Sequence, residues 1–388
     1  MQRCSMTVVF EELALFIKEL FPNQEFIPLH APLFIGNERK YVMDTLDSTF
    51  VSSVGSYVNR FEEMMCEITG AKYAIAIVNG TNALHMALIL ADVSAEDEVI
   101  SQSLTFIATC NAISYIGAKP IFLDVDRDTF GLSPVAISNF LEKNAIIKAD
   151  GFTYNINTGR RIKACIPMHT FGLPCRIDEI AEICKLWNIT LIEDAAESLG
   201  SFYKNKHTGV FGEIGTFSFN GNKTVTSGGG GALITNNSAI ALKAKHLTTQ
   251  AKVAHPWAFV HDEIGYNYRM PNLNAALACA QLEQLDKFVE NKRALASLYQ
   301  SKLQGSDIQF VSEQANAKAN YWLNAILLPD KEKQQEFLEY MNSNGVMARP
   351  VWELMHRLPM FKNSERANLE NSEWIADRLV NIPSSVRL

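Results

Sequence analysis

From Lys72 onward the chain alternates short apolar runs with segments of helical period. YAIAIV is followed by a helix predicted over Thr81 to Leu90, then EVISQS, a helix after Thr105, and KPIFLDVD. The alternation continues through KACIPMH, a helix from about Ile177, ITLIEDAAESLG, GTFSFN and ALITN. Runs that are apolar at nearly every position suit strands covered on both sides, and repeated strand–helix units predict an α/β fold. The central sheet is expected to be mainly parallel. Before it, MQRCSMTVVFEELALFIKELF reads as an amphipathic helix within residues 1–25, followed by an irregular arm from Phe26 to Phe50 and a helix over Tyr57 to Thr69. GFTYNINTGRR reads as a polar hairpin, with Asn157, Thr158 and Gly159 as its turn. Beyond Pro256 the period becomes helical through NLNAALACAQLEQLDKFVENKRALASLYQSKL. AILLP, a helix over Lys331 to Asn342, and VMARPVW then predict a smaller α+β unit. The expected division is residues 1–25 as an N-terminal helix, 26–255 as a large α/β domain and 256–388 as a small C-terminal domain.

Composition narrows this picture in a few places. At 388 residues the chain exceeds the roughly 250 to 300 at which single cores stop growing, in keeping with two units around one cleft. A formal charge of -7 argues against a broad nucleic-acid surface, which needs a concentrated basic face. No uncharged run approaches the roughly 18 residues of a membrane span, and no cleavable leader is apparent, so a soluble cytoplasmic protein is expected. The seven cysteines form no Cys-x-x-Cys pair and read as buried thiols, with no metal site.

The sharpest chemical feature is FSFNGNKTVTSGGGG, with Lys223 in a polar, glycine-rich turn after an apolar run. A phosphate-binding P-loop needs Gly, four residues, then Gly-Lys-Ser/Thr. Here five residues separate Gly215 from Gly221, and Asn222 stands before the lysine. A dinucleotide fingerprint needs its glycines to open a helix, whereas Gly228 to Gly231 lead into ALIT. By itself Lys223 is therefore equally a surface lysine. LIEDAAESLGS ends a strand in Glu193 and Asp194, where a carboxylate borders the usual ligand crevice but is as often a helix cap. Gly80, Thr81 and Asn82 of IVNGTNALHMAL open a helix and offer free N–H groups to a phosphate, or simply cap it. Phe106 of LTFIATCNAI is either a core aromatic or a face for a flat ring. Lys204, Lys206, His207 and His246 read as solvated surface charges.

In their order along the chain, NGTNAL, TFIATCNAI with GAKPIFLDVD, PMHTFG, EDAAESLGS, FSFNGNK and GYNYRMPNLNAALACAQLEQL resemble the DegT-type sugar aminotransferases, pyridoxal 5'-phosphate (PLP) enzymes of fold type I. The resemblance runs from about Phe26 to near the C-terminus. It implies that Lys223 holds PLP as a Schiff base, Asp194 pairs with the ring nitrogen, and Phe106 lies against the ring. Ser218, Thr81 and Asn82 would bind the phosphate. Glu197 stands where many relatives have Gln beside the phenolic oxygen, and His169 of PMHTFG is expected near cofactor or substrate. Asn267 matches a position that reaches the neighbour's phosphate in a homodimer with shared sites. Arg269 is open between an ion pair and a substrate contact. FIPLHAPLFIGNERKYV, DSTFVSSVGSYVNRFE and AAESLGSFYKNKHTG resemble the legionaminic-acid-type branch. That likeness implies L-glutamate as donor and a nucleotide-linked 4-keto-6-deoxy-N-acetylhexosamine as acceptor. A C3-specific keto-sugar aminotransferase and a noncatalytic relative of the same fold are the alternatives, and retention of Lys223 also speaks against a PLP-dependent sugar dehydratase.

Overall fold

The computed structural model describes residues 6–387. The alternation foreseen from the sequence becomes seven strands of one sheet: β1 (Tyr73–Ile77), β2 (Asp97–Gln102), β3 (Lys119–Leu123), β4 (Arg161–Ile166), β5 (Thr190–Asp194), β6 (Ile214–Ser218) and β7 (Gly231–Thr235). They lie in the order β1-β7-β6-β5-β4-β2-β3. The pairs from β6 through β3 are parallel, and only β7 is reversed, antiparallel to both β6 and β1. The hairpin joins this sheet as well: Ala145–Ile147 pairs with Thr153–Asn155, which pairs with β4 at Tyr154 and Arg161.

Both faces of the sheet are covered, which is why its strands lack polar alternation. In β1, Ile75 and Ile77 enter one hydrophobic cluster while Ala74 and Ala76 enter another across the sheet. The helices in chain order are α1 (Met6–Leu20), α2 (Glu38–Asp47), α3 (Ser56–Thr69), α4 (Gly80–Leu90), α5 (Ile107–Tyr115), α6 (Pro134–Asn144), α7 (Ile177–Leu186), α8 (Ser238–Thr248), α9 (Asn272–Leu282), α10 (Leu285–Leu303), α11 (Lys331–Ser343) and α12 (Glu370–Ala376). None of the described helices is long and apolar enough to cross a membrane.

A second, antiparallel sheet holds β8 (Gln309–Phe310), β9 (Asn324–Leu327), β10 (Arg349–Pro350) and β11 (Leu379–Ile382), in the order β8-β9-β11-β10. Packing does not change at Pro256. Ala275 and Ala278 of α9, with Phe288 and Val289 of α10, share a core with Phe61 and Phe217. Leu295 and Tyr299, one to three turns further along α10, belong instead to the core of the second sheet. Phe10, Leu13 and Ile17 of α1 also join that core, so the first helix docks on the C-terminal unit rather than standing apart. A helix that keeps one apolar face along its length but switches partners midway gives no break in sequence pattern, so the periodicity change at Pro256 marks the onset of long helices and not a change of core. Cys4 lies outside the described residues; the other six cysteines are free thiols.

Candidate active site

Parallel strands collect their C-terminal ends on one edge of the sheet, and the residues just beyond β1, β2, β4, β5 and β6 wall a cavity of about 310 Å³. Thr81, Phe106, Asp194, Glu197, Ser218 and Lys223 all line it, as do Trp322 and Trp352 from the C-terminal unit. Six residues spread over more than a hundred positions thus meet in one place.

Glu193 and Asp194 show how the local fold assigns roles. Successive strand residues face opposite sides. Asp194, the last residue of β5, turns into the cavity, where its Oδ2 accepts from the Thr109 hydroxyl at 2.7 Å and its Oδ1 from the Ala196 N–H at 3.2 Å. Glu193 turns the other way and accepts from the N–H groups of Gly209, Phe211 and Gly212 at 2.6–2.7 Å, pinning that loop. Burial pushes the Asp194 carboxyl above its ordinary range, while the Thr109 hydroxyl and Ala196 N–H pull it back. A cation brought into the cavity beside it would offset that desolvation.

Lys223 sits in the turn after β6, its N–H bonded to the Asn220 carbonyl at 3.0 Å. Its Nζ lies 3.5 Å from Glu197 Oε1 and 4.0 Å from the centre of the Trp322 ring. Glu197 Oε2 accepts from the Phe171 N–H at 2.8 Å. Burial raises the Glu197 carboxyl to about 7, against the opposing pull of Lys223 and the Phe171 N–H. Near neutral pH it is therefore both a proton donor and an acceptor facing the lysine.

At the other end of the cavity α4 begins. Asn79 caps it, its side chain accepting from the Asn82 N–H at 2.8 Å. The N–H of Asn82 is thus engaged within the chain, and Asn82 does not line the cavity. The first-turn N–H groups of Gly80 and Thr81 precede any intrahelical acceptor, and both residues line the cavity together with Ser218. A Cβ at Gly80 would stand 2.8 Å from the Ser218 Cβ, and one at Gly231 would stand 2.5 Å from the Asn79 carbonyl. Gly231 therefore lets β7 pass close under the start of α4.

Besides Asn82, two expected residues stand outside the cavity wall. His169 is fully buried: its Nδ1 accepts from the Cys175 N–H at 3.2 Å, leaving Nε2 to donate to Glu193 at 3.0 Å. Both ring nitrogens are used on the side of the sheet away from Asp194. Asn267 is exposed, bridged through its backbone to Thr249. Arg269 is paired within its own chain to Glu62, which also takes Lys245 at 3.1 Å. His207 is a correction to the surface reading. It is buried between the Gly200 N–H and the Thr208 carbonyl, at 2.8 and 2.6 Å, and burial lowers it to about 4. Lys204 and His246 do pair with surface carboxylates, Asp178 and Asp262.

Sequence reasoning missed Thr109, Trp322 and Trp352. Thr109 was recoverable, being three residues after Phe106 at the start of α5 and so on the same helical face. Neither tryptophan carried a signal, since both come from another unit of the fold.

The sequence model of the DegT/DnrJ/EryC1/StrS aminotransferase family matches residues 34–388. The GDP-perosamine synthase of Escherichia coli O157:H7 is 38% identical over 362 residues, covering 93% of this chain and 93% of that protein. The putative pyridoxal phosphate-dependent aminotransferase EpsN of Bacillus subtilis (strain 168) is 38% identical over 338 residues, covering 86% and 84%. Among solved structures, the aminotransferase TlmJ from Streptoalloteichus hindustanus superposes with a TM-score of 0.84 at 23% identity, covering 92% of this chain and 93% of that one. PseC of Helicobacter pylori, an aminotransferase involved in the biosynthesis of pseudoaminic acid, gives 0.83 at 22% identity, covering 92% and 93%. At that identity the structural likenesses speak for the fold.

Proposed function

The chain belongs to the DegT/DnrJ/EryC1/StrS aminotransferase family, and from that premise we propose that it uses PLP to move an amino group from L-glutamate to a nucleotide-linked 4-keto-6-deoxy-N-acetylhexosamine, in legionaminic-acid-type or related surface-glycan sugar synthesis. The observation that carries the reading is the convergence of Lys223, Asp194, Glu197, Phe106, Thr81 and Ser218 on one cavity. The nucleotide-sugar acceptor is supported by relatives named GDP-perosamine synthase in Escherichia coli O157:H7 and Vibrio cholerae. The N-acetylated acceptor rests on the segments that resemble the legionaminic-acid-type branch. A GDP-linked acceptor without that N-acetyl group is the second reading, favoured by the names of those relatives.

The residues present fit PLP. The start of α4 and Ser218 suit its phosphate, and the buried Asp194 suits a charged ring nitrogen. Phe106, 45% exposed at the wall, offers a face to the ring. When bound, PLP supplies a carbonyl that condenses with amines and a ring that accepts electrons. Lys223 is the amine that anchors it. Freed by the donor's amino group, the same Nζ would be placed to act as the base for the donor's α-carbon proton and as the acid that supplies a proton to the acceptor's carbon. Asp194 would pair with the ring nitrogen and favour its protonated form. Glu197, titrating near 7 beside Lys223, gives or takes a hydrogen bond as the lysine's charge changes.

The site is proposed to be completed by a second copy of the chain. Asn267 is exposed and does not line its own cavity, and close to it in sequence Trp257, Phe259 and Ile264 are 82–84% exposed, which is more apolar surface than a lone chain gains by showing. The reading is tested by incubating enzyme, PLP and glutamate with UDP- and GDP-linked 4-keto and 3-keto sugars and identifying products by NMR. An amino product from one 4-keto sugar, with parallel initial-rate lines, supports it. Intersecting lines with no glutamate half-reaction would sink the two-stage transfer, and amination at C3 alone would sink the regiochemistry.

A further inference from the structure

Trp322 belongs to the C-terminal unit by its packing, yet its side chain ends on the lysine turn of the large one. The indole N–H donates to the carbonyl of Asn222 at 2.7 Å, immediately before Lys223 in the chain, and the Lys223 ammonium lies 4.0 Å from the centre of the ring. The segment that carries Trp322 is itself fixed. Its N–H donates to Asn320 Oδ1 at 2.8 Å, and the fully buried Asn320 amide donates to the carbonyls of Glu197 and Leu199 at 2.9 and 2.8 Å. One asparagine thus ties Trp322 to the segment bearing Glu197. The ammonium stands between an indole face and a carboxyl oxygen at 3.5 Å.

We propose that Trp322 is a positioning residue for Lys223, steadying the main chain before it through the indole N–H and the free ammonium through the ring face. This rests on the reading of Lys223 as the residue that moves the proton. A lysine released from a covalent link regains the freedom of a four-carbon stem, and Glu197 at 3.5 Å is a loose partner. An aromatic face within about 6 Å attracts an ammonium without accepting its proton. The lysine is therefore kept beside the reacting carbon with its amine chemistry intact. Because the tryptophan comes from the other unit, the seating of the two units sets where the base stands.

The test uses the full chain as wild type, Trp322→Phe and Trp322→Leu. In cofactor-depleted protein, brief treatment with acetic anhydride followed by peptide mass spectrometry compares acetylation of Lys223 with that of Lys331, whose side chain is 73% exposed, and of the wholly buried Lys292. Trp322→Leu is expected to raise Lys223 labelling relative to Lys331 by about tenfold, and Trp322→Phe, which keeps a face but loses the N–H, by about two- to threefold. Lys292 should stay silent. In cofactor-loaded protein the glutamate half-reaction should slow by roughly ten- to a hundredfold in Trp322→Leu, with glutamate affinity within about twofold, and Trp322→Phe should recover most of the rate.

Equal Lys223 labelling in wild type and Trp322→Leu would overturn the proposal, as would a Phe variant as impaired as the Leu one. If Leu loosens the fold and Lys292 becomes labelled, the Phe variant decides, and no rise in its Lys223 labelling overturns the idea. The labelling contrast supports the positioning role even if the wild type moves no amino group, an outcome that would sink the functional reading instead.

Discussion

Lys223 and Glu197 form a pair, Nζ 3.5 Å from Oε1, in which the proposed function gives the lysine the chemistry and the carboxyl the answer to its charge. Lys223→Ala is expected to cut amino transfer by at least about 10³-fold, because anchoring and proton movement reside in the same amine. Near-normal turnover by the variant with PLP bound would overturn its role. Glu197 makes a prediction in pH. Its carboxyl titrates near 7 in the folded chain against an ordinary 4.5, mainly through burial, so between those values the folded state holds a proton the unfolded state has lost. The stability it contributes is fully present below pH 4.5 and is lost as pH rises through about 7, with a size on the order of 3 kcal/mol. Urea unfolding of cofactor-depleted wild type and Glu197→Gln from pH 4 to 8 should give a difference that changes steadily across that window. A constant difference would show that the carboxyl does not titrate there. At this scale the sequence singled out Lys223, Asp194 and Glu197 as candidates but not the contacts they make. Thr109 holds Asp194, and Trp322 and Glu197 flank Lys223, contacts that only the fold creates.

At the scale of elements, strand ends and helix starts do most of the assigning. β5 sends Asp194 to the cavity and Glu193 to the opposite face by strand geometry alone, and this was readable from the dipeptide once the strand was located. Which of the two faces carried the site was not, because that depends on the neighbours of β5 in the sheet. α10 holds a second buried titratable group. Lys292 is fully buried, its Nζ donating to the Ser384 carbonyl and tying the helix to the C-terminal segment. Burial lowers it to about 7 from an ordinary 10.5, so between those values the unfolded chain binds more protons and stability rises with pH. Lys292→Met should flatten that rise, worth up to about 5 kcal/mol between pH 7 and 10, in thermal or urea unfolding. An unchanged slope would place the pH dependence elsewhere.

The whole molecule brings its two cores together along α10, and the cavity lies where both contribute: Lys223 and Asp194 from one, Trp322 and Trp352 from the other. If sites are shared between copies, Lys223→Ala and Asn267→Ala chains should each be nearly inactive alone, yet unfolding and refolding them together should restore about a quarter of wild-type activity. Half the dimers are then mixed, and each has one intact site. No recovery in a mixture shown to contain mixed dimers would exclude sharing. The amino-acid sequence by itself determined the alternating strands and helices, the mainly parallel sheet and the candidate residues at its strand ends, because periodicity and motif order are local properties of the chain. Tertiary structure decided the rest. It returned His169 to the interior against Glu193, engaged the Asn82 N–H within its own helix cap, moved the change of core from Pro256 into α10, and set Trp322 against Lys223. Each of these depends on which distant segments touch, and a linear pattern of polar and apolar positions specifies that a face is buried without specifying what buries it.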